Sequence, residues 1–178
     1  MQRINLKDVL GRAVSGPYGD LVTRRTGQAV RSEIEEMLDD RDTEVAVIDF
    51  GTVRCLDLSC ADEIVGKLLL QYGSARYFLL VGVDDGHRDA LQPVLERHQL
   101  AVVAEDRSGT QRLLGSIPDR ARDAFDVLTT SGCGGAAADE IAQRLAVPPE
   151  AATAALQELC ARRLVREGAN GFQPLHCA

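Results

Sequence analysis

The chain has 178 residues, 45% of them hydrophobic and 26% charged, which is the composition of a soluble globular protein with one medium or two small domains. No window holds the roughly 18 apolar residues of a membrane span, and no signal-peptide layout begins the chain, so we expect a cytoplasmic protein without membrane contact. The net charge is −7. From Ser116 onward the chain has six Lys and Arg and eight Asp and Glu, and the part before Ser116 has fourteen Lys and Arg and nineteen Asp and Glu. Neither part therefore has the basic excess of a dedicated nucleic-acid binder.

The cysteines and histidines form no pattern that binds a metal. The five cysteines include no Cys-x-x-Cys pair, and the three histidines are dispersed. An odd cysteine count in a chain without a signal peptide predicts reduced thiols. No nucleophile elbow, phosphate-binding glycine loop or Cys–His arrangement supports catalysis, so we expect no enzyme activity, no metal and no cofactor.

The first part of the chain alternates between strand and helix patterns. Residues 3–10 predict a first strand. Apolar residues at helical spacing predict an amphipathic helix that begins at Thr26-Gly27 and ends in a solvated turn over residues 39–42. The apolar, β-branched run 45–50 predicts a strand that is buried on both faces.

The alternation continues to about residue 105. A helix that begins near Ala61 buries a stripe ending at Tyr72, and strands at 77–83 and 100–104 enclose a helix over 87–98. This order predicts an α/β fold with a largely parallel sheet and helices packed on it.

Beyond Gly115-Ser116-Ile117-Pro118 the pattern becomes helical. Three helices are predicted over 119–130, 137–145 and 150–163, with a glycine-rich hinge over 132–135. Two short strands around a tip at 168–171 complete the pattern.

This change of pattern divides the chain into an α/β domain over residues 1–107, a linker over 108–117 and a small α+β domain over 118–178. Each domain has enough aliphatic residues for a core of its own, so we expect two separate cores.

The strand and helix start after residue 47 resemble the core of a STAS domain, the fold of anti-sigma-factor antagonists and of the cytoplasmic tails of some anion transporters. They read Ile48-Asp49-Phe50-Gly51-Thr52-Val53, then Leu56-Asp57-Leu58-Ser59, then a helix. The match is closer to a STAS-like family of uncharacterised bacterial proteins, because the helix opens with Ala61-Asp62-Glu63-Ile64 and an upstream helix opens with Arg25-Thr26-Gly27-Gln28. The resemblance covers residues 3–105 and implies a STAS-like sheet that binds protein partners.

The resemblance also implies a switch. In antagonists of this family, a kinase of the histidine-kinase ATPase fold phosphorylates a Ser or Thr at the start of that helix, and the phosphate selects the bound partner. Ser59 is the equivalent residue, with Asp57 and Asp62 close by, although the usual Asp-Ser-Ser-Gly is here Asp57-Leu58-Ser59-Cys60.

Physical chemistry permits this switch and also offers a simpler interpretation of Ser59. The N–H groups at a helix N-terminus stabilise a phosphate, while neighbouring carboxylates repel it. The simpler interpretation is that Ser59 only caps the helix, since Ser59-Cys60-Ala61-Asp62 fits the Ser-x-x-Asp start signal.

The C-terminal part resembles a winged helix-turn-helix domain, because three helices precede two short strands. In DNA-binding members the third helix enters the major groove. On its outward face Thr153 and Gln157 are suited to read a base. The candidates for phosphate contact are Arg162, Arg163 and Arg166, which would give modest, salt-sensitive affinity.

Two functions fit these patterns. The first is a non-enzymatic transcription-type regulator, in which the STAS-like domain senses a protein partner and the winged helix binds double-stranded DNA. The alternative is a phosphorylation-switched protein–protein adaptor whose partner is a histidine-kinase-fold ATPase. In that alternative the winged helix docks a protein or forms a homodimer.

Overall fold

The computed structural model describes a mixed α/β protein. The described residues are 1–13, 20–39, 43–130, 132, 135–169 and 171–175. Half of the predicted hinge at 132–135, most of the turn at 39–42 and Asn170 of the predicted tip lie outside these residues.

A five-stranded sheet forms the centre of the molecule. The described strands are β1 (Gln2–Asn5), β2 (Asp20–Leu21), β3 (Val45–Asp49), β4 (Cys55–Leu56), β5 (Tyr77–Val81), β6 (Ala101–Glu105), β7 (Gln111–Gly115), β8 (Val165–Gly168) and β9 (Gly171–Pro174). The sheet order is β1-β3-β5-β6-β7, with the first four strands parallel and β7 antiparallel to β6. Outside it, β2 and β4 form a short parallel pair and β8 and β9 an antiparallel hairpin. The predicted parallel strands are thus confirmed.

Helices cover both faces of this sheet. The described helices are α1 (Leu6–Ala13), α2 (Arg24–Asp39), α3 (Leu58–Ala61), α4 (Lys67–Tyr72), α5 (Asp85–Arg97), α6 (Asp119–Thr130), α7 (Ala138–Leu145) and α8 (Pro149–Ala161). A π-helical turn, Asp62–Gly66, joins α3 to α4. The helices predicted over 87–98, 119–130, 137–145 and 150–163 are confirmed within three residues at each end.

The two faces of the sheet belong to two different cores, because successive side chains of a strand point in opposite directions. Ala46 and Ile48 of β3 pack in a core with α1 to α5. Val45 and Val47 of the same strand pack in a second core with α6, α7 and α8. This explains why β3 reads as a continuous apolar run.

The second core corrects the expectation of two independent cores. Phe125 of α6 and Leu156 of α8 are fully buried in the same cluster as Val47, Leu79 and Val103 of the sheet. The C-terminal elements therefore cover a sheet face that would otherwise expose apolar side chains to water, and both halves of the chain build this core.

Two segments near the predicted boundaries also differ from prediction. The stretch 108–117, which was predicted as a linker, contains β7, with Leu113 and Leu114 buried on opposite faces of the sheet. Residues 3–10 form the end of β1 and most of α1, because the Asn5 side chain accepts a hydrogen bond from the Lys7 N–H at 3.0 Å and starts a helix there.

Candidate functional site

Asp57 and Ser59 lie together where α3 begins. Asp57 has an extended backbone, and its Oδ1 accepts a hydrogen bond from the Cys60 N–H at 2.7 Å. Ser59 Oγ donates to the same oxygen at 2.9 Å. The structure therefore makes Asp57 the N-cap, which corrects the interpretation of Ser59 as the cap. Ser59 lies inside the first turn and is partly exposed.

Exposed apolar side chains adjoin this pair. The Asp57 N–H donates to Leu21 O at 2.9 Å, which continues the short ladder between β2 and β4. Val22 follows Leu21 and Leu58 follows Asp57, and these two residues are 51% and 55% exposed. We call Val22, Leu58 and Ser59 the switch surface. It combines a hydroxyl with two apolar side chains at the end of the β2–β4 pair.

Asp62 does not belong to the switch surface. It is buried in the π-helical turn, where its Oδ1 lies 2.6 Å from Arg97 Nη2 and 2.8 Å from His98 Nε2. Its Oδ2 lies 3.3 Å from Arg24 Nη1. Asp62 was predicted to act with Asp57 and Ser59, whereas these ion pairs direct its side chain to Arg97, His98 and Arg24.

Glu63 completes a buried ion cluster. Its side chain is fully buried, and Oε1 lies 2.7 Å from Arg24 Nη1 and 2.6 Å from Lys67 Nζ. Oε2 lies 3.4 Å from Arg31 Nε. Asp62 thus binds mainly α5 while Glu63 binds α2, so the cluster ties the π-helical turn to the helices on both sides.

Two glycines allow this close packing. A Cβ on Gly27 of α2 would lie 3.0 Å from the Cys60 Cα, and a Cβ on Gly66 would lie 3.0 Å from Val94 Cγ1 of α5. Without side chains at these positions, α2 and α5 approach the 58–72 helix closely enough for the ion pairs to form. The Thr26-Gly27 helix start noted in the sequence therefore has a packing role.

The electrostatics keep all three carboxylates ionised. Burial by itself raises the pKa of Asp62, but hydrogen bonds from His98 and Arg24 and the charge of Arg97 bring that pKa below its ordinary value. Burial also opposes ionisation of Glu63, but hydrogen bonds from Lys67 and Arg24 outweigh the effect of burial and lower the pKa of Glu63. At Asp57, hydrogen bonds from Cys60 and Ser59 overcome the effect of burial and lower the pKa. None of these groups is poised to carry protons near neutral pH.

The neighbouring thiol of Cys60 is unreactive at neutral pH. Burial, together with the negative charge of Asp57, raises the pKa of Cys60 to about 12. Its Sγ donates a hydrogen bond to Thr23 O at 3.0 Å. The thiol is therefore protonated at neutral pH and is a poor nucleophile, because the thiolate is the reactive form.

The three arginines predicted to contact DNA phosphates contact the rest of the protein. Arg163 Nε donates to Ser74 O at 2.7 Å, and Arg166 Nη2 lies 3.0 Å from Glu44 Oε2. Both guanidinium groups stack over the Tyr77 ring, at 5.1 and 4.9 Å from its centroid. These contacts hold the C-terminal elements against the amino end of β5.

Of the other predicted DNA contacts, Arg162 and Thr153 also bond within the protein, whereas Gln157 is exposed. Arg162 pairs with Glu158 at 2.6 Å and donates to Ser116 O at 3.0 Å. Thr153 donates its hydroxyl to Pro149 O at 2.9 Å, and Gln157 is exposed on the same helix face. The structure thus brings Arg163 and Arg166 together at Tyr77, and it leaves Gln157 accessible to a ligand.

Comparison with protein-family models, with curated proteins and with solved structures finds no match to this chain. In the described part of the chain, no helix combines the length and the apolar character needed to cross a bilayer. The described residues also hold no group of three or more His, Cys, Asp and Glu side chains arranged to bind a metal ion.

Sequence reasoning missed the exposed apolar part of the switch surface and most of the ion cluster. Leu58 lies three residues before Ala61, so helical spacing assigns it to the buried stripe, whereas its place at the first turn exposes it. Glu63 and Lys67 have the i, i+4 spacing of a helical ion pair, which was the available signal. The contacts of Arg24 and Arg97 with the turn span more than thirty residues and left no local pattern.

Proposed function

We propose that this chain is a non-enzymatic protein–protein adaptor whose switch surface docks a protein partner, and that phosphorylation of Ser59 releases or exchanges that partner. The observation that carries this proposal is the position of a partly exposed hydroxyl beside two side chains, Val22 and Leu58, that leave apolar surface in water. Apolar surface bordered by polar groups is typical of protein docking sites.

The hydrogen bond between Ser59 and Asp57 supplies the switching chemistry. In the unmodified protein the hydroxyl donates to the carboxylate at 2.9 Å. Phosphorylation removes this proton and adds a charge of about −1.5 to −2 next to an ionised carboxylate. An attraction becomes a repulsion, which at this separation is worth on the order of a few kcal/mol near a protein surface. The Asp57 cap and the adjoining Leu58 then rearrange.

We further propose a STAS-like fold for the N-terminal part and a winged helix-turn-helix for the C-terminal part. Support for the first comes from parallel strands with helices between them and from the helix start at Asp57. Support for the second comes from the order of α6, α7, α8 and the β8–β9 hairpin.

A DNA-binding regulator is the less well supported alternative. The outward face of α8 offers Gln157 but also Glu150 and Glu158. Arg163 and Arg166, which would be needed at phosphates, are engaged with Ser74, Glu44 and Tyr77. A salt titration with random duplex DNA separates the two functions, since binding at low salt supports the regulator and no binding supports the adaptor.

The phosphorylation step is tested by intact mass. The full chain is incubated with ATP and a lysate of the cells that encode it, and it is then compared with the Ser59→Ala variant. We expect the wild type to gain one phosphate and the variant to gain none. Equal mass gains for the two proteins after this treatment would contradict the switch.

The docking step is tested with matched surface variants. We expect Leu58→Ser and Ser59→Glu to lose a partner that wild type and Ser59→Ala retain in crosslinked complexes from the same lysate. Leu70→Ser is the control, because Leu70 is 56% exposed but lies at the opposite end of the 58–72 helix. Equal loss in Leu58→Ser and Leu70→Ser would refute specific docking at the switch surface.

A further inference from the structure

The charges of α2 are arranged against the dipole of this helix. Its basic residues, Arg24, Arg25 and Arg31, lie in the first two turns, which hold no acidic residue. The acidic residues all lie in the last two turns, and they are Glu33, Glu35, Glu36 and Asp39. Since negative charge is favoured at the N-terminus of a helix and positive charge at its C-terminus, this order costs stability. The cations at the start of α2 therefore need an explanation outside the helix itself.

The ion cluster explains two of these three arginines. Arg24 Nη1 lies 2.7 Å from Glu63 Oε1, and Arg31 Nε lies 3.4 Å from Glu63 Oε2. Arg25, in contrast, is exposed, and within the described part of the chain its side chain has no hydrogen bond and no ion pair. The fold thus holds Arg25 at a position that is unfavourable for a cation and leaves its guanidinium available to a ligand.

Arg25 lies beside the switch surface. It follows Val22 by three residues and belongs to the first turn of α2. This turn packs on the first turn of α3, where Cys60 Sγ donates to Thr23 O at 3.0 Å. At the same contact, a Cβ on Gly27 would lie 3.0 Å from the Cys60 Cα. Exposed apolar side chains and an exposed cation therefore border the junction of the same two helix starts.

The other charges at this junction do not cancel the charge of Arg25. Asp57 accepts two hydrogen bonds within its own turn, and Arg54 lies 3.5 Å from Asp20 at the end of the β2–β4 pair. In the ion cluster the two buried carboxylates contact four cations, one of which also pairs with Glu35. The surroundings of the switch surface are therefore positive, in a chain whose net charge is −7.

We propose that the partner of the switch surface presents an acidic segment, in which an apolar side chain packs on Val22 and Leu58 and a carboxylate pairs with Arg25. This inference rests on the proposed function and names the chemistry of the partner. Complementary charge beside an apolar contact speeds association and excludes wrong partners. A phosphate on Ser59 adds a charge of about −1.5 to −2, which makes the surface negative and repels the acidic segment.

The chemistry of the partner is tested with a random library of short peptides displayed on phage. Phage that bind the Leu58→Ser variant are removed, and the rest are selected on the full wild-type chain. We expect the enriched peptides to contain more Asp and Glu than Lys and Arg, together with a large apolar residue, although the net charge of the chain disfavours acidic ligands elsewhere. Enrichment of neutral or basic peptides would overturn the acidic partner and leave docking at the switch surface in place. No enrichment over Leu58→Ser would overturn both.

Charge variants then assign the carboxylate contact to Arg25. Fluorescence anisotropy of the strongest labelled peptide should show binding about fivefold weaker for Arg25→Glu and nearly unchanged for Arg25→Lys. Arg25→Glu should also keep or raise the melting temperature, because it places a carboxylate at the start of α2. Arg120→Glu is the matched control, since Arg120 is equally exposed and unpaired among the described residues but lies on α6, against the other face of the sheet. Equal weakening by Arg25→Glu and Arg120→Glu would overturn the contact with Arg25.

Added charge at Ser59 and added salt should act on the same interaction. Ser59→Glu should weaken binding of the selected peptide severalfold, whereas Ser59→Gln, which has the same size without the charge, should weaken it less. Raising the salt concentration from about 50 mM to about 500 mM should weaken binding to the wild type and have less effect on Arg25→Gln, because the ions screen an exposed charge pair. Equal effects of Ser59→Glu and Ser59→Gln, or binding that does not depend on salt, would overturn the acidic partner.

Discussion

The switch surface and the Arg162–Arg166 region differ in whether their side chains bond to the rest of the protein. At the switch surface, Val22 and Leu58 are mostly exposed, and Ser59 is bonded only to its own turn. At the other region, Arg163 and Arg166 bind groups on the far half of the chain. A polar side chain is therefore available to a ligand only where the fold leaves it without contacts inside the protein.

The difference has a consequence for the role of the C-terminal elements. Because the arginines and the second core both join these elements to the sheet, we expect them to be required for the stability of the whole chain. The switch surface, in contrast, should tolerate substitution with little loss of stability.

The largest expected effect is in the shared core. Phe125→Ala removes a fully buried ring between α6 and the sheet, and it should lower the free energy of unfolding by about 3–5 kcal/mol. Urea unfolding followed by circular dichroism and by tyrosine fluorescence should give one coincident transition. Two separate transitions would mean that the halves are independent domains. Leu70→Ala, at an exposed position, is the control.

The next effect concerns the ion cluster. Glu63→Gln removes the buried charge that pairs with Arg24, Arg31 and Lys67. We expect a loss of about 1.5–3 kcal/mol at neutral pH, because charge-assisted hydrogen bonds are weakened while Arg24 keeps Asp62 and Arg31 keeps Glu35. Glu36→Gln on exposed α2 surface changes the net charge equally and should cost less than about 0.5 kcal/mol. Similar denaturant midpoints for the two variants would show that the cluster is not stabilising.

Stability should also fall on acidification. The pKa values of Asp57, Asp62 and Glu63 are lowered by folding, so the unfolded chain binds more protons as the pH drops through about 4. The pKa of His87 is also lowered by folding, in this case by burial of the ring. The loss of stability that His87 causes therefore begins below about pH 6.5. Full stability is therefore expected above both windows. Denaturant midpoints measured across this range check the prediction, and an increase in stability on acidification would contradict it.

The smallest effect distinguishes the two possible caps at the switch surface. Asp57→Ala removes the side chain that accepts from the Cys60 N–H and should cost about 1 kcal/mol. Ser59→Ala should cost less than about 0.5 kcal/mol, because Ser59 caps no backbone group and its hydroxyl bonds only to Asp57. Thermal unfolding of both variants shows which substitution causes the larger loss of stability. A larger loss for Ser59→Ala would restore the interpretation of Ser59 as the cap.

The candidate site was only partly predictable from sequence. The Ser-x-x-Asp pattern pointed to the correct turn but to the wrong capping residue, because Asp57 and Ser59 both fit the chemistry of a cap and only the backbone at Asp57 is extended. The exposure of Val22 depends on the two-residue pairing of β2 with β4, which is too short to leave an alternating pattern.

The amino-acid sequence by itself determined the local elements. Periodic apolar residues produce α5, α6 and α8, and short apolar runs, β-branched in β3 and mostly aromatic and leucine in β5, produce these strands. Each of these patterns depends on neighbours only a few residues away. Tertiary structure alone decided that β7 completes the sheet, that Phe125 shares a core with Val47, and that Arg163 stacks on Tyr77. These contacts join residues far apart in the chain, and such pairings arise from packing that no local spacing encodes.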